Sequence, residues 1–175
     1  METIKWEIDP SHSELLFKVK HLEIATLTGR FDGIAGTAEA EDNFENATFS
    51  FTANVNSINT NDKNRDIHLK SADFFDSEKF PKITFNSTKF KRIGDTSFEI
   101  IGKLTIKETT KPTILHIEYG GTNIDHWGNT KAGLKLKGVI NRKDYGLTWN
   151  AAIEAGGVLV SEEVRINANI ELIKK

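Results

Sequence analysis

Histidine supplies the only ring-nitrogen ligands in this chain, and with no cysteine present, thiolate chemistry and sulfur-bound zinc sites are excluded. His12, His21 and His68 are the candidates for a metal centre, but their spacing is wide and neither a His-x-His nor a His-Glu-x-x-His pattern occurs. They are read as hydrogen-bonded histidines of corners and turns, and neither a metal nor another cofactor is expected. Ser13 beside His12 invites a Ser/His/Asp reading, yet no nucleophile-elbow glycines surround it, so no catalytic residue is assigned. The densest polar group is Arg65, Asp66 and His68, flanked by Lys63 and Lys70. An Arg fork beside a helix start could dock a phosphate or other polar head group. Alternatively, Arg65 and Asp66 bond to nearby backbone and pin their segment in place, which the Arg-Asp adjacency favours. Arg142, Asp144 and Gly146 read first as a tight corner between strands.

Most of the chain that must position these groups alternates. Ala47, Phe49, Phe51, Ala53 and Val55 share one face of an expected strand from Ala47 to Ser57, while Thr48, Ser50, Thr52, Asn54 and Asn56 share the other. The same period returns in Leu15/Phe17/Val19, Phe98 to Ile106, Thr113 to Tyr119, Ala132 to Ile140 and Val164 to Leu172. Weaker strands are placed at Leu27 to Thr37, Ile83 to Phe90 and Leu147 to Ile153, giving about eight or nine strands separated by Gly, Asn or Asp turns. From Asn61 to Phe80 the rhythm breaks: polar helix-start residues precede Ile67, Leu69, Phe74 and Phe75, which do not alternate. One or two short helices are expected there, ended by Pro81.

With 175 residues, about 38% apolar, the chain can build one sizeable core, and a single domain over residues 1–175 is expected. A formal charge of −2 argues against a general nucleic-acid binder. Met1 to Trp6 lack the basic stretch and apolar run of a secretory signal, and no later stretch approaches the ~20 apolar residues of a membrane span. The chain as given reads as cytoplasmic, or periplasmic if it is a trimmed mature form. Long one-faced strands imply an all-β protein, and an antiparallel barrel is preferred to a sandwich because closure removes exposed edges. Such a barrel is either filled by its own side chains or holds one small ligand, and inward faces mixing Phe with Ala and Gly, as in Gly102/Leu104, leave both open.

The motifs between the strands add more. Trp6-Glu7-Ile8-Asp9-Pro10-Ser11-His12-Ser13, Lys20-His21-Leu22, Gly29-Arg30-Phe31 and Ser57-Ile58-Asn59-Thr60 lead into the most specific stretch, Arg65-Asp66-Ile67-His68-Leu69-Lys70-Ser71-Ala72-Asp73-Phe74-Phe75. Phe80-Pro81-Lys82-Ile83-Thr84-Phe85, Gly102-Lys103-Leu104-Thr105-Ile106, Thr110-Lys111-Pro112, Trp127-Gly128, Arg142-Lys143-Asp144-Tyr145-Gly146-Leu147 and Trp149-Asn150 follow. In this order and spacing they resemble the YceI family of polyisoprenoid-binding proteins over nearly the whole chain. The resemblance implies an extended lipocalin-like antiparallel β-barrel of about eight strands, with a short helical segment near residues 61–80 and a long isoprenoid or similar amphiphile in its lumen. Many relatives resemble exported proteins, whereas this chain shows no signal.

The expectation is a non-enzymatic carrier or sequestering protein for a long isoprenoid, isoprenoid-quinone or acyl lipid, with a homodimer admitted. Phe17, Phe31, Phe49, Phe51, Phe85, Phe98, Leu104, Leu134, Leu136 and Trp149 are expected to line the lumen, and Arg65, His68, Phe74 and Phe75 to form the mouth or a head-group site. The rivals are an enzyme acting on a small hydrophobic or lipid substrate, which needs an ionisable group facing the lumen, and a solid barrel serving as an interaction module.

Overall fold

Apolar residues at every second position make each strand one-faced, and such strands bury that face by curling into a closed sheet. The computed structural model describes residues 2–148 and 160–175. In chain order it contains β1 (Ile4–Ile8), β2 (Glu14–His21), β3 (Ala25–Phe31), β4 (Ile34–Ala40), β5 (Thr48–Asn54), β6 (Ile58–Asn59), α1 (Lys63–Lys70), β7 (Lys82–Arg92), β8 (Ser97–Ile106), β9 (Thr109–Ile124), β10 (Thr130–Asn141) and β11 (Glu163–Lys174). Every pairing is antiparallel, and the order β1-β4-β5-β7-β8-β9-β10-β11 closes through β1 and β11 into an eight-stranded barrel, as expected.

β2, β3 and β6 extend the first three of these strands beyond a crease. β11 pairs with β1 through Leu172 and with β2 through Ala168, so β1 and β2 are two halves of one long strand. The crease crosses Pro10–His12, Asp32-Gly33 and Val55–Ser57 at one level. It corrects two expected strands. The strand from Ala47 to Ser57 stops at Asn54, whose side chain accepts the Asn56 N–H at 3.0 Å while Ser57 Oγ donates to the Asn54 carbonyl at 2.6 Å. The strand from Leu27 to Thr37 bends at Asp32-Gly33, where a Cβ on Gly33 would stand 3.2 Å from both Asn54 and Ser57. β1 is a strand beyond those expected, in which Ile4, Trp6 and Ile8 alternate with Lys5 and Glu7. Leu147 and Thr148 lie outside any strand, and the rest of the strand expected to Ile153 falls outside the described residues.

The irregular stretch holds α1, capped by Asp62, whose carboxylate accepts the N–H groups of Asn64 at 3.0 Å and Arg65 at 3.1 Å. Turns fill the remainder up to Pro81, whose carbonyl accepts the Val55 N–H at 2.9 Å and ties the segment back to the crease. Among the described residues no helix is long and apolar enough to cross a membrane.

Candidate functional site

The inward faces do two different things at the two ends of the barrel. At the end carrying the β4–β5 and β7–β8 connections, Phe44 enters from the loop between β4 and β5 and stands 5.2 Å from Trp6 and 5.0 Å from Tyr119, ring centre to ring centre. Phe90 and Phe98 stack at 4.8 Å beside them, with the Arg92 guanidinium over Phe98. This end is solid. Phe98, expected to line the lumen, is instead packed inside it, because the lumen does not extend to the start of β8.

Toward the other end the barrel encloses a cavity of about 520 Å³, within the range of small-molecule sites. Phe17, Phe31, Phe49, Phe51, Phe85, Leu104, Leu134 and Leu136 all border it, while Trp149 lies outside the described residues. Aliphatic wall residues that aromatic counting overlooked include Leu15, Val19, Leu27, Ile166 and Ala168. The same alternation carries them, so period alone would have found them. Among the described residues on the wall, the ionisable ones are His21, Arg65, His68 and Arg142, and none is Asp or Glu.

Gly102, whose small size left a filled or hollow interior open, and Gly29 are both seats for rings. A Cβ on Gly29 would meet the Phe17 ring at 2.2 Å, and one on Gly102 would meet the Phe85 ring at 2.4 Å. The rings lie flat against the wall over these positions. That keeps them out of the middle of the barrel and leaves the central space unfilled, so Gly102 adds no lumen volume of its own.

The mouth is built by α1 and the turns after it. Asn64, Arg65, His68 and Leu69 face the cavity from the helix, and Phe74 and Phe75 cover it, Phe75 meeting Phe31 edge-on at 6.0 Å. Arg65 donates from Nε to Thr60 Oγ1 at 2.8 Å and from Nη2 to the Thr60 carbonyl at 2.6 Å. Asp66 accepts the Thr60 N–H at 3.0 Å and its hydroxyl at 2.5 Å. The Arg-Asp pair therefore clamps the chain just before the helix, which is the backbone-pinning role its adjacency suggested. His68 bonds Asp73 at 2.9 Å and packs its ring edge-on against Phe74.

At the far side of the mouth, the corner Arg142–Tyr145 ends at Gly146, whose φ of 77° is left-handed and suits glycine. Arg142 is buried and donates to the carbonyls of Ser161 at 2.8 Å, Leu147 at 2.6 Å and Val160 at 3.2 Å. Burial lowers its pKa below the usual guanidinium value. It staples the two ends of the β10–β11 connection together, a role the corner reading missed because it depends on residues nearly twenty positions away. Tyr145 shares a 3.0 Å hydrogen bond with Thr113, and burial raises its phenol pKa.

His12, the first metal candidate, lies outside the cavity. Its Nδ1 is 2.8 Å from Asp9 Oδ2 and 3.9 Å from Glu171 Oε1, a grouping of three ligand types. The Lys131 ammonium sits among the same oxygens, 2.5 Å from Asp9 and 3.2 Å from Glu171. Hydrogen bonds from Lys131 and then His12 hold the Asp9 carboxyl well below the usual carboxylate range, and Asp9 in turn raises Lys131. His21 and His68 are not part of this cluster.

A family model described as the YceI-like domain matches residues 6–172. A UPF0312 protein of Staphylococcus aureus (strain N315) is 36% identical over 166 residues, covering 93% of this chain and 94% of its own length. The crystal structure of the Campylobacter jejuni YCEI protein superposes with a TM-score of 0.76 at 30% identity, covering 90% of this chain and 91% of that one. Two more distant structures share the fold. BcnA of Burkholderia cenocepacia has a TM-score of 0.82 at 18% identity, over 94% of this chain and 98% of its own. A polyisoprenoid binding domain from Saccharophagus degradans has a TM-score of 0.71 at 15% identity, over 97% of this chain and 98% of its own.

Proposed function

The chain belongs to the YceI-like family, and from that premise we propose that it is a carrier or sequestering protein, not an enzyme, which holds the apolar chain of a long amphiphilic lipid inside its barrel. The ligand is a polyisoprenoid, an isoprenoid quinone or a similar long-chain molecule. The observation that carries this reading is the cavity itself: about 520 Å³ walled by Phe17, Phe31, Phe51 and aliphatic side chains, in a barrel whose opposite end is closed by packed rings. Each methylene moved from water into such a wall contributes ~0.8 kcal/mol, so affinity grows with chain length. Arg65 and His68 stand at the mouth, where a polar head would rest against already bonded side chains while the tail occupies the interior. The likeness to a polyisoprenoid binding domain supports this ligand class.

Native mass spectrometry of protein purified from its own source, followed by organic extraction, tests the proposal. The expected result is one long-chain lipid per barrel, or uptake of one when delipidated protein meets prenols, prenyl quinones and acyl lipids. Folded protein that takes up none of them would remove the basis of the carrier reading.

A further inference from the structure

A barrel that holds a lipid chain must end the path of that chain somewhere, and the inward faces show where. On β1, Ile8 borders the cavity while Trp6, two positions back on the same face, does not, and on β8 Ile100 borders it while Phe98 does not. Leu134 borders the cavity too, and its partner across the β9–β10 ladder is Tyr119, whose ring already belongs to the packed end. Phe44 stands at this level, between Trp6 and Tyr119. Trp6, Phe90, Phe98 and Tyr119 are carried by strands, whereas Phe44 enters from the loop after β4. The wall around that loop is made of small residues. Ala38 and Ala40 on β4 and Ala47 just before β5 are each 2% exposed or less, so the Phe44 ring fills space that the wall side chains leave. The loop holds the ring in place. Phe44 is buried yet has a left-handed φ of 58°, a region that bulky residues seldom occupy, so its backbone is maintained against a local cost. The Glu41 N–H donates to the Glu45 carbonyl at 2.9 Å, the Glu45 N–H donates to the Asp42 carbonyl at 3.2 Å, and Asn46 Nδ2 donates to Glu41 Oε2 at 2.6 Å. From β7, Arg92 Nε donates to the Glu45 carboxylate at 2.7 Å and fastens the loop to the barrel.

We infer that Phe44 is the length stop of the cavity: the end of the lipid's apolar chain comes to rest at its ring, so this residue sets how much of a chain the barrel encloses. The inference rests on the carrier reading and sharpens it from a ligand class to a length limit. Each isoprene unit that fits above the ring moves apolar surface out of water and adds affinity, whereas a unit beyond the limit stays at the mouth and adds little. Affinity along a chain-length series therefore has a break, and Phe44 fixes its position. Replacing the ring by a methyl group removes six carbons and leaves a void of about one isoprene unit, continuous with the space below Ile8 and Leu134 and bounded by the alanines of β4. A ring with a packing role alone behaves differently, since its loss lowers stability without moving a length preference.

A ladder of linear polyprenols, each one isoprene unit longer than the last, locates the break when it is offered in detergent to delipidated protein and read by native mass spectrometry. The folded charge states are scored separately, so a loss of stability does not pass for a loss of binding. Phe44→Ala is expected to move the break about one unit longer, and Leu134→Phe, which adds a ring above the floor, about one unit shorter. Prenols short enough to end above the stop should bind the wild type and Phe44→Ala with the same affinity. A break that stays at the wild-type length in Phe44→Ala, or in Leu134→Phe where the former does not fold, overturns the length stop. So does a wild-type affinity that keeps rising along the whole ladder, and in both cases the carrier reading stands. If the wild type binds no prenol of any length, the carrier reading itself fails and the stop falls with it, so wild-type binding alone tells the two failures apart.

Discussion

Within the single strand β8, Phe98 and Leu104 both point inward, yet their surroundings differ. Phe98 is 1% exposed and stacked on Phe90, whereas Leu104, six residues along the same face, borders open space. The contrast comes from what each end of the barrel receives from its connections. At the Phe98 end one short loop drives Phe44 between Trp6 and Tyr119 and fills the bore. At the other end a long insertion covers the bore with Phe74 and Phe75, and the rings of Phe17 and Phe85 lie flat over Gly29 and Gly102 instead of filling it. Identical strand patterning thus serves packing at one end and containment at the other.

The largest effect should come from opposing truncations. Phe98→Ala removes a fully packed ring and is expected to cost about 4 kcal/mol, with affinity for a prenyl lipid retained by the folded fraction. Phe51→Ala, half-buried on the cavity wall, should cost about 1 kcal/mol and instead change lipid affinity, because the side chain contacts empty space in the free protein. Urea unfolding and lipid titration of both variants separate the two roles. Equal stability losses would mean that the cavity half is packed as tightly as the other.

A second probe lies outside the cavity, where Lys131 meets Asp9 beside the crease. Lys131→Met leaves Asp9 and Glu171 without their ammonium and is expected to cost about 2 kcal/mol, below the loss for a deeply buried pair because both side chains keep about a tenth of their surface in water. The folded-state pKa of Asp9 is depressed, so its contribution is complete above the ordinary carboxylate value of about 4 and is lost as pH falls from there toward the lower folded value. Wild-type stability should therefore decline on acidification below about pH 4 more steeply than that of Lys131→Met. Lys131, with its pKa raised, contributes fully below about pH 10 and loses that contribution as pH rises through its folded value, a loss the variant should not show. Parallel pH profiles for the two proteins would contradict this.

Gly29→Ala gives a stability effect as small as that of Phe51→Ala. Its new methyl collides with the Phe17 ring, which has the cavity to move into, so about 1 kcal/mol of stability should be lost while lipid affinity falls roughly tenfold. If stability falls by several kcal/mol with affinity intact, Phe17 has no free space before it.

Much of this barrel is legible in the residues. Ala132 to Ile140 and Val164 to Leu172 each announce a wall strand, and the helix start before Arg65 is visible in Asp62. The crease is not, because Val55 keeps the apolar rhythm while Asn54 and Ser57 turn the backbone away. Nor does alternation distinguish Phe98 from Phe85: it reports which side of a strand is apolar, and whether that side is filled depends on a loop residue, Phe44, distant in sequence. The Lys131 contact with Asp9 and the Arg142 staple escaped for the same reason, since each joins residues that only barrel closure or a long connection brings together.

The most direct measurement concerns Ala168, a small residue on the cavity wall opposite Leu15 and Leu136. Ala168→Trp should place its ring in the open space, so the lipid-free variant keeps its melting temperature within a few degrees yet no longer takes up a prenyl lipid that the wild type binds one to one in native mass spectrometry. A variant that loses several kcal/mol of stability, beside a wild type that binds no lipid, would show a filled barrel and contradict the containment of a lipid chain in this half.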